Sequence, residues 1–304
     1  MSDLTKYVSI NRLINSISAR RGGSISESTM KTFLHFIRRY CDFVGMSPDQ
    51  IIEDRVMCLK SDDLFTRRKH EELVMKFAQA LRSSGYSTNT IATAVGAIRS
   101  FYRSNYVPLV EVRVPSGVPV RQYKIPTKDE LRVAVENAPR KWVRTFMILT
   151  KDCGMSLQDM LNLRMDSGSP IYGSIKQQLA NGQIPIHVRI VREKTMHTYD
   201  TFLGEDSYYA LTEYKRDGKL FPYTKQAIQM SMKRLGMRLG WENFTPYSLR
   251  KWFRTQLTLS GVNEAIIEYL MGHKLAKVRS AYFIPPPQKL MEIYVKHYDS
   301  LRLL

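Results

Sequence analysis

The stretch from about residue 105 to 125 constrains the fold most, because Pro108, Pro115, Gly117 and Pro119 punctuate a mixture of apolar and basic residues. Proline locks its own φ, lacks an amide donor and pushes the preceding residue out of the helical region. Neither a helix nor an inner strand runs through such spacing, so residues 107–125 read as an extended linker. A chain of 304 residues has room for two ordinary domains, and the linker divides it into two.

Before the linker, residues 1–24 end in the basic, glycine-containing run Ser18-Ala19-Arg20-Arg21-Gly22-Gly23 and read as a flexible arm. A helical domain is expected over 25–106. Ser26 or Ser28 suits a cap, and Met30, Phe33, Ile37, Cys41 and Val44 then recur at three- and four-residue spacing. Arg38 and Arg39 fall outside that stripe. Leu73, Phe77 and Leu81 suggest a second helix that stops at Ser83-Ser84-Gly85. Tyr86-Ser87-Thr88-Asn89-Thr90 is rich in capping residues and opens a third helix, with Ile91, Val95, Ile98 and Tyr102 inward. Its other face carries Thr93, Arg99 and Arg103. Small polar residues and arginines on one helix suit a DNA groove and its phosphates, although a solvated face has the same composition.

After the linker, Pro126-Thr127-Lys128-Asp129-Glu130 has the capping and acidic residues of a helix start. Val143, Met147 and Ile148 predict a buried helix leading to Lys151-Asp152-Cys153-Gly154, and a further helical stretch ends near Arg164. The pattern then changes period. Ile184, Ile186, Val188 and Ile190 alternate with Pro185, His187 and Arg189, which predicts a strand. Residues 192–197 interrupt it and Tyr199–Leu203 resume it, so a hairpin is expected with Lys194 near its turn. Three more helices are expected around 225–239, 247–260 and 263–271. The fold class is therefore mainly α with a small antiparallel β-sheet, with a second domain over 126–287 and a C-terminal segment over 288–304.

Composition narrows the function. The chain has 46 Lys and Arg against 28 Asp and Glu, a net charge of +18. Such an excess repels itself in a compact fold and calls for a polyanionic partner. Nucleic acid fits best, because each neutralised phosphate releases condensed counterions. The basic residues are dispersed rather than gathered beside an apolar helix face, which disfavours a membrane surface, and no run of about 18 apolar residues suggests a span. The N-terminus lacks the apolar centre of a secretory signal. Cys41, Cys58 and Cys153 are odd in number and far apart, which suits a reducing cytoplasm rather than a disulfide framework. No His-x-x-x-His or Cys-x-x-Cys spacing points to a metal, and no aromatic-rich motif points to RNA.

The densest set of chemically capable residues lies in the last 60 or so positions. Pro246-Tyr247-Ser248-Leu249-Arg250-Lys251-Trp252-Phe253-Arg254 starts a helix with Leu249, Trp252, Phe253 and Leu257 inward. Arg250 sits near its N-terminus, where amides and dipole already favour an anion that a guanidinium could grip. Met271-Gly272-His273-Lys274 follows, then Arg279-Ser280-Ala281-Tyr282-Phe283 and three prolines.

That order of hairpin lysine, arginine-bearing helix start, Gly-His pair and tyrosine nine residues later resembles the tyrosine recombinase, or phage integrase, family. The Leu-Met-Gly-His-Lys and Tyr-Phe-Ile-Pro-Pro wording is nearest to integrases of archaeal viruses and plasmids. Residues 85–102 resemble the family's helical core-binding domain, so the resemblance runs from about 26 to 290. It implies a site-specific recombinase that clamps a duplex between the two domains. Tyr282 would be the nucleophile forming a 3′-phosphotyrosyl link, a role in which a phenol of ordinary pKa near 10 needs help losing its proton. His273 would assist at phosphate or nucleophile. Arg250 would stabilise charge on the non-bridging oxygens, and Lys194 would protonate the leaving 5′-oxygen. Tyr247 occupies the place of a usual histidine, three residues before Arg250. Arg38, Arg39, Thr88, Asn89, Thr93, Arg99, Arg103 and Lys251 would contact DNA. Neither metal nor nucleotide is needed, since the covalent link conserves the phosphodiester. The partners implied are double-stranded DNA and further copies of the chain, a tetramer on DNA and a monomer when free, with residues from Gln288 docking on a neighbour. Such a protein would work on DNA in the cytoplasm, at the nucleoid.

One departure is serious. Gly154-Met155-Ser156-Leu157-Gln158-Asp159-Met160-Leu161 matches the family's Gly-Leu-Arg-Ile-Ser-Glu-Leu-Leu pattern, which puts Ser156 where a first catalytic arginine belongs and Asp159 on its acidic position. Arg164 fits a downstream, non-catalytic place. Losing one preorganised donor typically costs about 3–4 kcal/mol, or roughly 100- to 1000-fold in rate. Either Arg144, Lys151 or Lys251 fills the gap, or turnover is slow, or the chain only binds DNA. A type IB topoisomerase would share the chemistry as a monomer, but residues 85–103 favour the recombinase.

Overall fold

The computed structural model describes residues 4–20, 27–112, 122–192, 197–273 and 285–304, and the chain divides into two compact units, Met1–Arg121 and Gln122–Leu304. The first unit is helical: α1 (Val8–Arg20), α2 (Glu27–Val44), α3 (Pro48–Leu59), α4 (Leu64–Ser83) and α5 (Thr88–Ser104). Helix α5 packs on α1, α2 and α4.

Two sequence expectations need correction here. Residues 4–20 are not a flexible arm: Leu4, Ile10, Leu13 and Ile17 are buried in the unit's core. Their spacing is helical, and the Asp49 carboxylate accepts the amides of Val8 (3.3 Å) and Ser9 (2.9 Å) at the start of α1, where anions are favoured. Residues 21–24 of the expected arm lie outside the described residues. The second correction concerns α2, whose buried stripe is Leu34, Phe36, Ile37, Tyr40 and Cys41, while Met30, Phe33 and Val44 form only its partly buried edge. Tyr40 owes its place inside to a partner for its hydroxyl, the Tyr102 hydroxyl at 3.0 Å, which a period count does not see.

Helix α3 was not anticipated at all. Its local signals are nonetheless complete, with Pro48 in the first turn and a reciprocal capping box between Ser47 and Gln50. It delivers Arg55, fully buried, which forks onto Glu71 of α4 at 2.7 and 2.9 Å and also donates to the carbonyls of Arg67 and Pro108.

The second unit opens with α6 (Lys128–Glu136), started by a Thr127–Glu130 capping box. Helix α7 (Lys141–Cys153) is its central element; it packs on α10 (Glu205–Tyr214), α12 (Pro246–Leu259) and the strand His197–Leu203. Then come α8 (Leu157–Asn162), the short antiparallel pair β1 (Gly168–Ser169) and β2 (Gly173–Ser174), and α9 (Ile175–Ala180). The expected hairpin is β3 (Ile186–Arg192) against β4 (His197–Leu203), in register from Ile186↔Leu203 to Arg192↔His197. Arg192 and His197 thus close the ladder rather than belonging to the interruption. Helices α11 (Lys225–Arg238), α12, α13 (Glu264–Leu270) and α14 (Pro287–His297) complete the unit.

The segment from Gln288 onward packs on its own unit. Leu290, Tyr294, Tyr298, Leu301 and Leu303 are buried in the core. The tail is fixed further by Lys151, fully buried, which donates to Asp152 (2.5 Å), Asp206 (2.7 Å) and the Leu301 carbonyl (2.8 Å). Among the described residues no helix is long and apolar enough to cross a membrane.

Candidate active site

Four elements of the second unit bring polar side chains to one place: the turn between α7 and α8, the paired ends of the hairpin, the first turns of α12, and the end of α13. Two glycines make the approach possible. Gly154 ends α7 in the left-handed region (φ 60°), and a Cβ there would lie 2.4 Å from the Phe253 ring of α12. Gly272 follows α13 with φ 68°, and a Cβ there would lie 2.5 Å from the Tyr199 ring of β4. Left-handed backbone and close packing both demand glycine.

Arg250 is 6% exposed, held by Leu249, Trp252 and Phe253, which anchor α12 in the core. It donates through Nη1 to the Gly154 carbonyl at 2.6 Å, and through Nη2 to His273 Nε2. Arginine can only donate, so Nε2 is the acceptor, and the neutral ring's proton sits on Nδ1 facing the Glu268 carboxylate. Burial, and then the Arg250 charge, lowers the His273 pKa in keeping with that neutral form. Glu268 is itself shared with Arg254 at 2.5 Å. Burial also lowers the Arg250 pKa, and the charge of Arg192 pushes the same way.

Ser156 caps α8, its Oγ accepting the Asp159 amide (3.2 Å) and donating to Asp159 Oδ2 (2.8 Å). The same oxygen receives Arg192 through Nε (2.9 Å) and Nη2 (2.7 Å), and the Tyr199 hydroxyl (2.9 Å). Arg192 reaches on to the carbonyls of Gly272 and Met271, the latter at 3.2 Å, and its guanidinium lies 5.1 Å from the Tyr199 ring centre. Arg192 was not foreseen as a site residue. The sequence offered only its place at a strand end, two positions before Lys194.

The three basic residues weighed as one way to fill the gap at 156 are engaged elsewhere. Lys151 is sealed in the core with Asp152 and Asp206. Arg144 pairs with Glu213 of α10 at 3.1 Å. Lys251 lies over the rings of Tyr123 (5.0 Å) and Tyr247 (5.4 Å). Tyr247 is 49% exposed, edge-on to Tyr123 at 4.9 Å. The structure therefore brings Arg250 and His273 together and leaves Tyr247 open to solvent; Lys194 and Tyr282 lie outside the described residues.

In the first unit Asn89, Thr93, Arg99 and Arg103 form an exposed stripe along α5, with Thr88 half-buried at its start. Arg99 donates to the Val112 carbonyl at 2.6 Å. On α2, Arg38 is exposed, whereas Arg39 is engaged by Tyr86, hydrogen-bonding its hydroxyl and lying 5.0 Å from its ring centre. Asp54, Cys58 and His70 place one possible metal ligand each within 4.8 Å of the others. Both His70 nitrogens are already used, by the Tyr102 hydroxyl (2.8 Å) and Asp54 (2.9 Å), so Asp54, His70 and Tyr102 form a hydrogen-bond relay.

No family model matches the chain. Individual relatives do. Tyrosine recombinase XerA of Thermococcus kodakarensis is 25% identical over 264 residues, covering 84% of each protein. Tyrosine recombinase XerA of Pyrococcus horikoshii is 27% identical over 210 residues, 66% of this chain and 70% of that one. The chain is a relative of the tyrosine recombinases. Its fold agrees: lambda integrase (residues 75–356), solved as a dimer bound to a COC′ core site, superimposes with a TM-score of 0.62 at 12% identity, over 89% of this chain and 95% of that one. The mainly α architecture with small antiparallel sheets is that of the recombinase fold. In the second unit of this chain, the Arg250–His273 contact and the neighbouring Asp159–Arg192 pair meet at the Gly154 and Gly272 turns.

Proposed function

We propose that the chain is a site-specific recombinase of the integrase type, cutting and rejoining double-stranded DNA through a covalent link to Tyr282. The Tyr282 oxygen attacks the scissile phosphorus as its phenol proton is lost to water, the bond from phosphorus to the 5′-oxygen breaks, and Lys194 delivers a proton to that oxygen. The reverse transfer, from the phosphotyrosine to a 5′-hydroxyl, rejoins the strand with no external energy source.

One observation carries this reading: Arg250 is nearly buried, and it donates to a carbonyl and a neutral imidazole. Among the described residues no carboxylate pairs with it. A buried cation is costly without a counter-charge, so the pocket is made for an anion that arrives. A phosphodiester meets that need, with Arg250 taking the developing charge and His273 accepting or donating beside it. The rival tyrosines support Tyr282 by default. Tyr294 and Tyr298 are 2% and 6% exposed, and burial raises both phenol pKa values.

Arg38, Arg39, Thr88, Asn89, Thr93, Arg99 and Arg103 of the first unit and Lys251 of the second supply contacts to DNA, and Tyr247 donates to phosphate. Two sites must be cut in concert, so the working form is a tetramer on DNA, assembled from monomers at the nucleoid. The test is a nicked suicide duplex bearing candidate attachment sites, followed by a denaturing gel. A covalent adduct absent from Tyr282→Phe and present in Tyr294→Phe supports the assignment. An adduct that persists in Tyr282→Phe overturns it.

A further inference from the structure

We propose that Arg192 supplies, from the end of β3, the positive charge that position 156 lacks, and that it sets the Gly272–His273 turn beside Arg250. This rests on the phosphotyrosyl reading above and concerns the same pocket.

The geometry is specific. Ser156 and Arg192 converge on one atom, Asp159 Oδ2, at 2.8 Å from the hydroxyl and 2.7 and 2.9 Å from the guanidinium. A neutral hydroxyl rooted on the α7–α8 turn and a cation rooted on the hairpin therefore answer to the same carboxylate. Serine at 156 is short, and it spends its hydroxyl on capping α8, which leaves Asp159 accessible to the strand arginine. The remaining Arg192 donors go to the carbonyls of Met271 and Gly272, the two residues before His273. Removing them would free the peptide that aims the imidazole at Arg250.

Arg192 is also well placed as a charge. Its guanidinium is mostly buried, so solvent screens it less than a surface arginine. It is close enough to disfavour the charged form of Arg250, as two like charges around one pocket must. Asp159 offsets only part of this, and a phosphate between the arginines would relieve the rest. Arg192 is a positioning residue in this scheme: it acts through His273, through the field at the phosphate, and not by replacing Tyr282, Arg250 or Lys194 in a chemical step. Neither Arg144 nor Lys151 nor Lys251 has a comparable connection to Asp159 or to the His273 turn among the described residues.

The experiment uses the full chain, single-turnover adduct formation on the nicked suicide duplex, and duplex binding measured in parallel. Arg192→Gln should slow adduct formation by roughly 100-fold, the cost of misplacing the His273 turn beside the reacting phosphate, with binding changed only a few-fold. Arg192→Lys keeps the charge and should be faster than Arg192→Gln. The deciding variant is Ser156→Arg in the Arg192→Gln background: a guanidinium returned to Asp159 should recover at least about tenfold of the lost rate. A purely structural role for Arg192 would not be rescued by a charge planted at 156. Arg192→Gln cleaving within about threefold of the parent, or a double variant no faster than Arg192→Gln, overturns the inference. If the parent forms no adduct but Ser156→Arg does, Arg192 does not supply the charge while the phosphotyrosyl reading stands. If neither forms one, that reading falls and takes the inference with it.

Discussion

Arg250 and Gly154 are joined by a 2.6 Å hydrogen bond from a guanidinium to the carbonyl of the residue that ends α7. The contact links the first turns of α12 to the turn that carries Ser156, so the placement of Arg250 depends on a glycine 96 residues upstream.

Gly154→Ala tests that dependence. A Cβ would collide with the Phe253 ring at 2.4 Å on left-handed backbone, so a loss of about 1–3 kcal/mol is expected from overpacking and strain. Denaturant titration reads the loss, and adduct formation should fall with it. An alanine variant as stable as the parent would mean that α12 is not held by this approach.

Arg55→Ala should cost about 3–5 kcal/mol, because it strands the Glu71 carboxylate in the first unit's core without its fork. Replacing both residues by apolar side chains of similar size should cost much less. Thermal melts of the single and double variants separate the two outcomes.

The His273 pKa is lowered by burial and by Arg250, which fixes the sign of a pH effect. Below the ordinary histidine value near 6.5 the unfolded chain takes up a proton that the folded site resists, so stability contributed here falls as pH drops through that value toward the folded one. His273→Gln should flatten this limb of the stability profile. Asp200 acts at lower pH: burial alone would raise its pKa, but hydrogen bonds from His187, Arg189 and Tyr269 hold it at about 2. Its contribution is present above about 4 and disappears as pH falls toward 2.

Arg103→Gln on the exposed face of α5 should weaken duplex binding about equally for all sequences. The slope of log K against log salt should shrink by about one charge. Asn89→Ala should leave that slope unchanged. Equal slopes for Arg103→Gln and the parent would remove α5 from the DNA-facing surface.

The hairpin, the helices around α11, α12 and α13, and the inward face of α12 were legible because each rests on a short-range period: two for β3 and β4, three to four for Leu249, Trp252, Phe253 and Leu257. Helix α3 was missed although Ser47-Pro48-x-Gln50 marks its start, because its weak amphipathicity gives no clear stripe. The buried faces of α1 and α2 were missed because polar neighbours dilute the stripe, and because the burial of Tyr40 and Arg55 depends on partners far along the chain.

The sequence by itself determined the two-part organisation, the basic character, and the order of Arg250, His273 and Tyr282 that marks a tyrosine recombinase relative, since all of these are local or linear properties. Only the tertiary structure decided what surrounds the place that Ser156 holds. It withdrew Lys151 into the core, turned Lys251 onto two tyrosine rings, and brought Arg192 to Asp159 across 33 residues. That last contact exists because strand pairing and the Gly154 and Gly272 turns converge in space, and no spacing along the chain encodes a convergence of three separate elements.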